Sequence, residues 1–134
     1  VLKNRHYVVE PLAGERIVVA VRSVEPFATK AEVDSSCGAL LRALDTFGRS
    51  TSCVLIDSRL APGRTDPHFD GWFARYRSGM LTGFLRAAIL VQSAVGRLHA
   101  DRLLRLDEQP GATMRSFTEQ EQALTWLREV LAPR

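Results

Sequence analysis

The residues of this chain whose types and spacing could do chemistry follow two apolar runs. Val54-Leu55-Ile56 ends at Asp57-Ser58, and the run from Leu85 to Gln92 ends at Ser93. Behind the first run comes an Arg/Pro/Gly/Asp stretch holding Arg59, Arg64, Asp66 and His68, and behind the second comes Ser93-Ala94-Val95-Gly96-Arg97. Short continuous apolar runs of this kind read as strands buried on both faces. In open α/β sheets, ligands sit outside the carboxyl ends of such strands, where helix N-termini offer free N–H groups and partial positive charge. The chemistry that suits these residues is capture of a carboxylate or phosphate. Arg59 and Arg64 would add charge-assisted bonds, and the backbone from Ser93 to Gly96 would add N–H donors. A second reading uses the same residues structurally. Asp57, Asp66 and Ser93 are then caps and loop anchors, and Arg59 and Arg64 pair with those acids. Both readings stay open at this level.

Next to this stretch, Phe69, Trp72, Phe73, Tyr76 and Met80 recur at helical spacing. Either the stripe packs on the sheet, or it is wide enough to leave Trp72 or Tyr76 for a ligand, a partner or a second subunit.

Other chemistries lack their parts. The histidines stand alone at positions 6, 68 and 99, without helical metal spacing, and no metal site is expected. Cys37 falls on an apolar helix face and Cys53 opens a strand, which reads as two buried reduced thiols in a cytoplasmic protein. Ser58 lacks the flanking glycines of a nucleophile elbow. No P-loop or dinucleotide fingerprint is present, so no cofactor is expected. A hydrolase using Asp57 or His68 is the residual catalytic option, and the sequence supplies no positioned acid/base pair for it.

His6 to Leu12 and Arg16 to Val21 predict an antiparallel hairpin around Ala13-Gly14. Thr29 with Glu32 is a capping box, and Val33, Cys37, Leu40, Leu41, Leu44 and Phe47 follow at helical spacing, with Gly48 as the stop. Cys53 to Asp57 is a buried strand. Asp66-Pro67 starts the aromatic helix, which ends near Gly79 or Gly83. After the strand within Leu85 to Gln92, Ser93 caps a third helix with core positions Val95, Leu98, Leu103 and Leu106. Thr113 to Phe117 is a last strand. Thr118 with Glu121 repeats the capping box, and Ala123, Leu124, Leu127 and Leu131 form the stripe of a last helix. The order β-β-α-β-α-β-α-β-α predicts an α/β fold with one mixed sheet, in which the crossovers after the hairpin give parallel pairs.

At 134 residues, with 46% hydrophobic and 25% charged residues, the chain reads as one ordered domain over 1–134. No apolar run approaches a membrane span of about 20 residues. Val1 opens the chain in place of Met, consistent with a processed or trimmed start, and the first residues hold no apolar signal core. Between Ser58 and Leu106, eight arginines stand against three aspartates, leaving +5. The excess is either a solvated surface or an anion-facing cluster. It is not the dense basic run with interleaved aromatics that nucleic acid calls for. A homodimer through a leftover apolar face is compatible with the pattern.

The element order resembles the STAS family, the anti-sigma-factor antagonists and the cytoplasmic domains of sulfate transporters. It looks closest to the SpoIIAA-like branch, which is sometimes grouped with SEC14-type lipid-binding domains. The resemblance is carried by Val54-Leu55-Ile56-Asp57, by Ala87-Ala88-Ile89-Leu90-Val91 with Gly96-Arg97-Leu98 and Arg102-Leu103, and by Phe117-Thr118 through Ala123-Leu124-Thr125-Trp126-Leu127. It implies a non-enzymatic regulatory or protein-interaction module. It also implies a switch by phosphorylation of a Ser or Thr that follows an Asp at the start of the second helix. Here Asp66 is followed by Pro67 and His68, so that acceptor is missing, and Ser58 and Thr65 are nearby hydroxyls outside the motif position. The SEC14-type grouping implies the alternative, a binder of a small amphiphilic or anionic ligand at the strand ends.

Overall fold

Alternating apolar residues build a sheet whose strands lie in chain order: β1 (Leu2–Lys3), β2 (Tyr7–Pro11), β3 (Ile17–Arg22), β4 (Cys53–Asp57), β5 (Ala87–Leu90) and β6 (Met114–Phe117). The computed structural model describes residues 1–62, 67–106 and 113–131, with side chains for all of these except 67–70, 99 and 103–106. β1, β2 and β3 pair antiparallel, and β3 through β6 pair parallel. The expected hairpin is β2–β3, turning at Gly14 with φ 77°, a conformation that favours glycine. The two-residue strand β1 adds an edge that the sequence pattern does not announce.

Among the described residues, four helices, α1 (Lys30–Asp45), α2 (Pro67–Leu81), α3 (Ala94–Leu106) and α4 (Gln120–Leu131), complete the mixed α/β fold. Each crossover after β3 steps one strand in the same direction. Connections of one hand then bring α1, α2 and α3 to the same face. On that face Val9, Val18, Ala20, Val54, Ile56 and Ala87 meet Val33, Cys37, Leu40 and Leu44 of α1 and Met80 and Leu81 of α2. Alternation brings Ser116 to this face with Met114, and there it bonds Asp101 and the Arg97 carbonyl of α3. The opposite face holds Ile17, Cys53, Leu55, Ala88, Leu90 and Phe117, covered by Ala123, Leu124, Trp126 and Leu127 of α4. β4 is buried on both sides, as its unbroken apolar run requires.

The caps explain where the helices start. The Thr29 hydroxyl accepts the Glu32 N–H at 3.1 Å, and the Glu32 carboxylate accepts the Ala28 N–H at 3.1 Å, so the first capping box forms with its return bond one residue early. The second does not form as expected. The Glu119 carbonyl accepts the Ala123 N–H and α4 starts at Gln120, so Glu119 rather than Thr118 holds the cap position. α1 ends at Asp45, and Gly48, with φ 66°, turns the chain into a short 3-10 segment at Arg49–Thr51.

Two expected core positions are overturned. Val95 is 76% exposed and Leu98 is 70% exposed. α3 turns Ala100 and Asp101 to the sheet instead. A periodic apolar stripe records that a helix is two-sided, not which side meets the protein. Leu103 and Leu106 lie outside the described side chains.

Candidate functional site

β4 and β5 run side by side, and their carboxyl ends meet at one rim. The Ser58 N–H donates to the Leu90 carbonyl at 2.8 Å, and the Val91 N–H donates to Phe117 at 2.8 Å. Asp57-Ser58 and the stretch from Val91 to Ser93 therefore converge. α3 starts at this rim. The Ser93 hydroxyl accepts the Gly96 N–H at 3.1 Å, and its carbonyl accepts the Arg97 N–H at 2.9 Å. Ser93 is thus a helix cap, and its side chain is engaged in that role.

Asp57 and Arg59 form a closed unit. Arg59 Nε donates to Asp57 Oδ1 at 3.0 Å, Nη2 donates to Oδ2 at 2.8 Å, and the Arg59 backbone N–H donates to Oδ1 at 3.1 Å. Nη2 also reaches Gln120 Oε1 at 3.2 Å, tying the loop to the start of α4. Partial burial alone would push the Asp57 carboxyl up, but the Arg59 bonds outweigh it and hold the group below the usual carboxylate range. Arg59 is therefore not a free anion-binding cation, because its fork is filled by the neighbouring carboxylate. Of the two readings of Arg59, the pairing with its neighbouring acid is the one the structure contains. Arg64 and Asp66 lie outside the described residues, and His68 lies outside the described side chains.

The aromatic helix is held by a residue that sequence reasoning missed. Asp34 of α1 accepts the Trp72 Nε1–H at 3.0 Å and the Tyr76 hydroxyl on the same oxygen. That bond keeps the Tyr76 phenol above its ordinary range, since ionising it would place two anions together. Lys30 Nζ and Arg75 Cζ lie over the Trp72 ring at 5.2 and 5.3 Å. Both aromatic side chains are partly buried against the core, with their polar ends spent on α1. They brace α2 to α1. Asp34→Ala should cost about 1–2 kcal/mol in urea unfolding and shift Trp72 emission, while Asp34→Asn keeps an acceptor and should lose less. Unchanged stability and emission in Asp34→Ala would contradict the brace.

A serine–histidine contact also emerges. His6 Nδ1 lies 2.6 Å from Ser36 Oγ, Nε2 lies 3.3 Å from the Pro26 carbonyl, and the ring stacks on Phe27 at 4.2 Å. The geometry echoes a nucleophile and its base. His6 is 1% exposed and Ser36 8%, which leaves a substrate no approach. Burial holds the imidazole below its ordinary pKa, so the neutral ring ties the turn before β2 to α1. Burial also pushes the Cys37 thiol up to about 11 and raises Cys53, so neither thiol is an activated nucleophile. Both cysteines are free. No group of three metal-ligating side chains occurs among the described residues. An open groove of about 350 Å³ between β6 and α4 is lined by Arg115, Phe117 and Trp126. None of the candidate site residues read from sequence lines it.

No family model matches the chain, and no curated protein matches it at a significant level. Among solved structures, the chain is similar to an uncharacterized protein of the DUF3478 family with a SpoIIAA-like fold from Shewanella loihica PV-4. The two share 16% identity with a TM-score of 0.65, over 95% of this chain and 98% of that one. The chain has a SpoIIAA-like fold. The likeness at this identity concerns architecture, namely the mixed sheet with helices between its parallel strands, and it agrees with the STAS-type element order. Within the SpoIIAA-like frame, the rim at Ser58 and Ser93 is the end of the sheet from which α3 departs. No helix among the described residues is long and apolar enough to cross a membrane.

Proposed function

We propose that this SpoIIAA-like chain is a non-enzymatic STAS-type regulatory module that docks a protein partner at the rim where β4 and β5 end and α3 begins. The observation that carries the reading is the exposed apolar pair at this rim, Val95 at 76% and Leu98 at 70%. Leu60, 57% exposed, projects from the loop that leaves the same end of β4. Large apolar side chains clustered in the open are a mark of interaction surfaces. The absence of catalysis is supported by chemistry. The Asp57 carboxylate is held ionised and doubly bonded, so it is poorly placed to act as acid or base. Pro67 stands where the resembled antagonists carry the phosphoacceptor, so docking here is not gated by a hydroxyl at that position.

Binding of a small anionic or lipid-like ligand at the rim has less support, because Arg59 is already engaged by Asp57 and Ser93 by its own helix. The cytoplasmic assignment rests on the two free, buried thiols.

Comparative affinity capture tests the reading. Wild type and Ser58→Ala should retain the same partner, and Leu98→Glu should lose it. Val130→Glu, on α4 away from the rim, should keep it. Equal capture by all four proteins would remove the rim from consideration.

A further inference from the structure

We propose that the outward face of α3 receives an acidic amphipathic helix of the partner protein. The proposal rests on the docking reading above and names the chemistry of its occupant. Val95, Leu98 and Arg102 fall at i, i+3 and i+7, which aligns them along one crest of the helix. All three are exposed, as is Arg97 beside them. The inward side is fixed by buried Ala100 and by Asp101, whose carboxylate bonds Ser116 of β6.

That division of labour sets the charge of the free face. Asp101 is the acid of this helix segment, and it is turned to the sheet. Arg97 and Arg102 face solvent and form no ion pair with any described residue. The crest is therefore apolar and cationic together. Its complement is a helix with apolar anchors at i, i+3 or i+4, and i+7, flanked by Glu or Asp. A second copy of the chain fits poorly, because a two-fold contact on this face would set Arg97 and Arg102 against their own copies. A bilayer fits less well, because the described crest has no aromatic residue, and interfacial helices seat Trp, Phe and Leu together.

The test uses the full chain and two fluorescein-labelled synthetic helical peptides of about 18 residues, identical except that the apolar stripe is flanked by Glu in one and by Lys in the other. Anisotropy should show the Glu peptide binding at least about tenfold tighter than the Lys peptide, and more weakly as salt is raised. Leu98→Glu should weaken the Glu peptide by about tenfold or more, and Arg97→Glu with Arg102→Glu should reverse the order of the two peptides. Equal binding of both peptides, or an order that the double variant leaves unchanged, would overturn the proposal. So would binding to phosphatidylcholine/phosphatidylglycerol vesicles that Leu98→Glu abolishes while neither peptide binds, which assigns the crest to a bilayer. A concentration-dependent dimer that Leu98→Glu dissolves would overturn it in favour of a second copy. Should the peptides fail while capture still depends on Leu98, the partner's chemistry is wrong and the docking rim stands.

Discussion

Arg49→Ala should lower the unfolding free energy by about 2–3 kcal/mol and the Tm by roughly 5–12 °C. The guanidinium of this one residue gathers two helix ends. Arg49 Nη1 donates to the carbonyls of Gly79 at 2.5 Å and Thr82 at 2.8 Å, where α2 leaves its last turn without partners. Nε donates to Asp45 at 2.8 Å, at the end of α1. Its Cζ lies 4.9 Å from the centre of the Phe84 ring. The side chain is only 18% exposed, so solvent replaces these bonds poorly once they are removed. Arg49→Lys keeps the charge but not the fork, and should recover less than half of the loss. Urea denaturation measures both. A change below about 0.5 kcal/mol in Arg49→Ala would show that the helix ends find other partners.

The second large effect is a loss of stability below neutral pH that depends on His6. The fold lowers the His6 pKa below its ordinary 6.5, chiefly through burial. The Pro26 carbonyl and Glu32, 3.8 Å away, favour the protonated ring, while Arg22 and Arg5 oppose it. The sign follows from linkage. Above pH 6.5 the ring is neutral in both folded and unfolded chains, and its contribution is complete. As pH falls below 6.5, the unfolded chain takes up the proton first, and stability drains until the folded-state pKa is passed. Asp57 acts in a lower window. Its folded pKa lies below the ordinary 3.8, so its contribution is present above that value and is lost as pH falls through the folded pKa. Unfolding curves taken stepwise from pH 8 to about 5 should therefore slope downward in wild type and flatten in His6→Gln. His6→Gln should also be less stable at neutral pH by about 1–3 kcal/mol, from the altered Ser36 bond and the lost stacking on Phe27. Parallel slopes in the two proteins would place the acid sensitivity elsewhere.

Where periodicity and local chemistry agree, the sequence was sufficient. α1 announces itself through Thr29, Glu32 and four apolar positions that end up in the core. β4 announces itself through an unbroken apolar run, and the start of α2 at Pro67 follows from proline's fixed φ. The rim was legible as well, because Asp57 and Ser93 each end an apolar run on adjacent parallel strands. What the sequence hid are bonds made across the fold. Asp34 lies 38 and 42 residues from the side chains it holds, and Arg49 lies 30 and 33 from the carbonyls it caps. No local pattern marks an arginine for the end of a distant helix. The stripe of α3 misled for another reason. Its apolar positions have the right period, yet the sheet is met by Ala100 and Asp101, small or polar residues that a hydrophobic count passes over.

The identity of strand order with chain order has a kinetic consequence. Each new strand after β3 needs only one helix to be laid down before it meets the edge already formed, so every loop to be closed is short. A chain emerging from the ribosome can lengthen its sheet one strand at a time, from one edge to the other. α4 alone must wait for the rest, and until it docks, Leu55, Ala88, Leu90 and Phe117 remain uncovered on the second face. α4, made only after every strand it covers, is thus the lock that turns a growing open ribbon into a finished fold, and the interval before it closes is when aggregation threatens most.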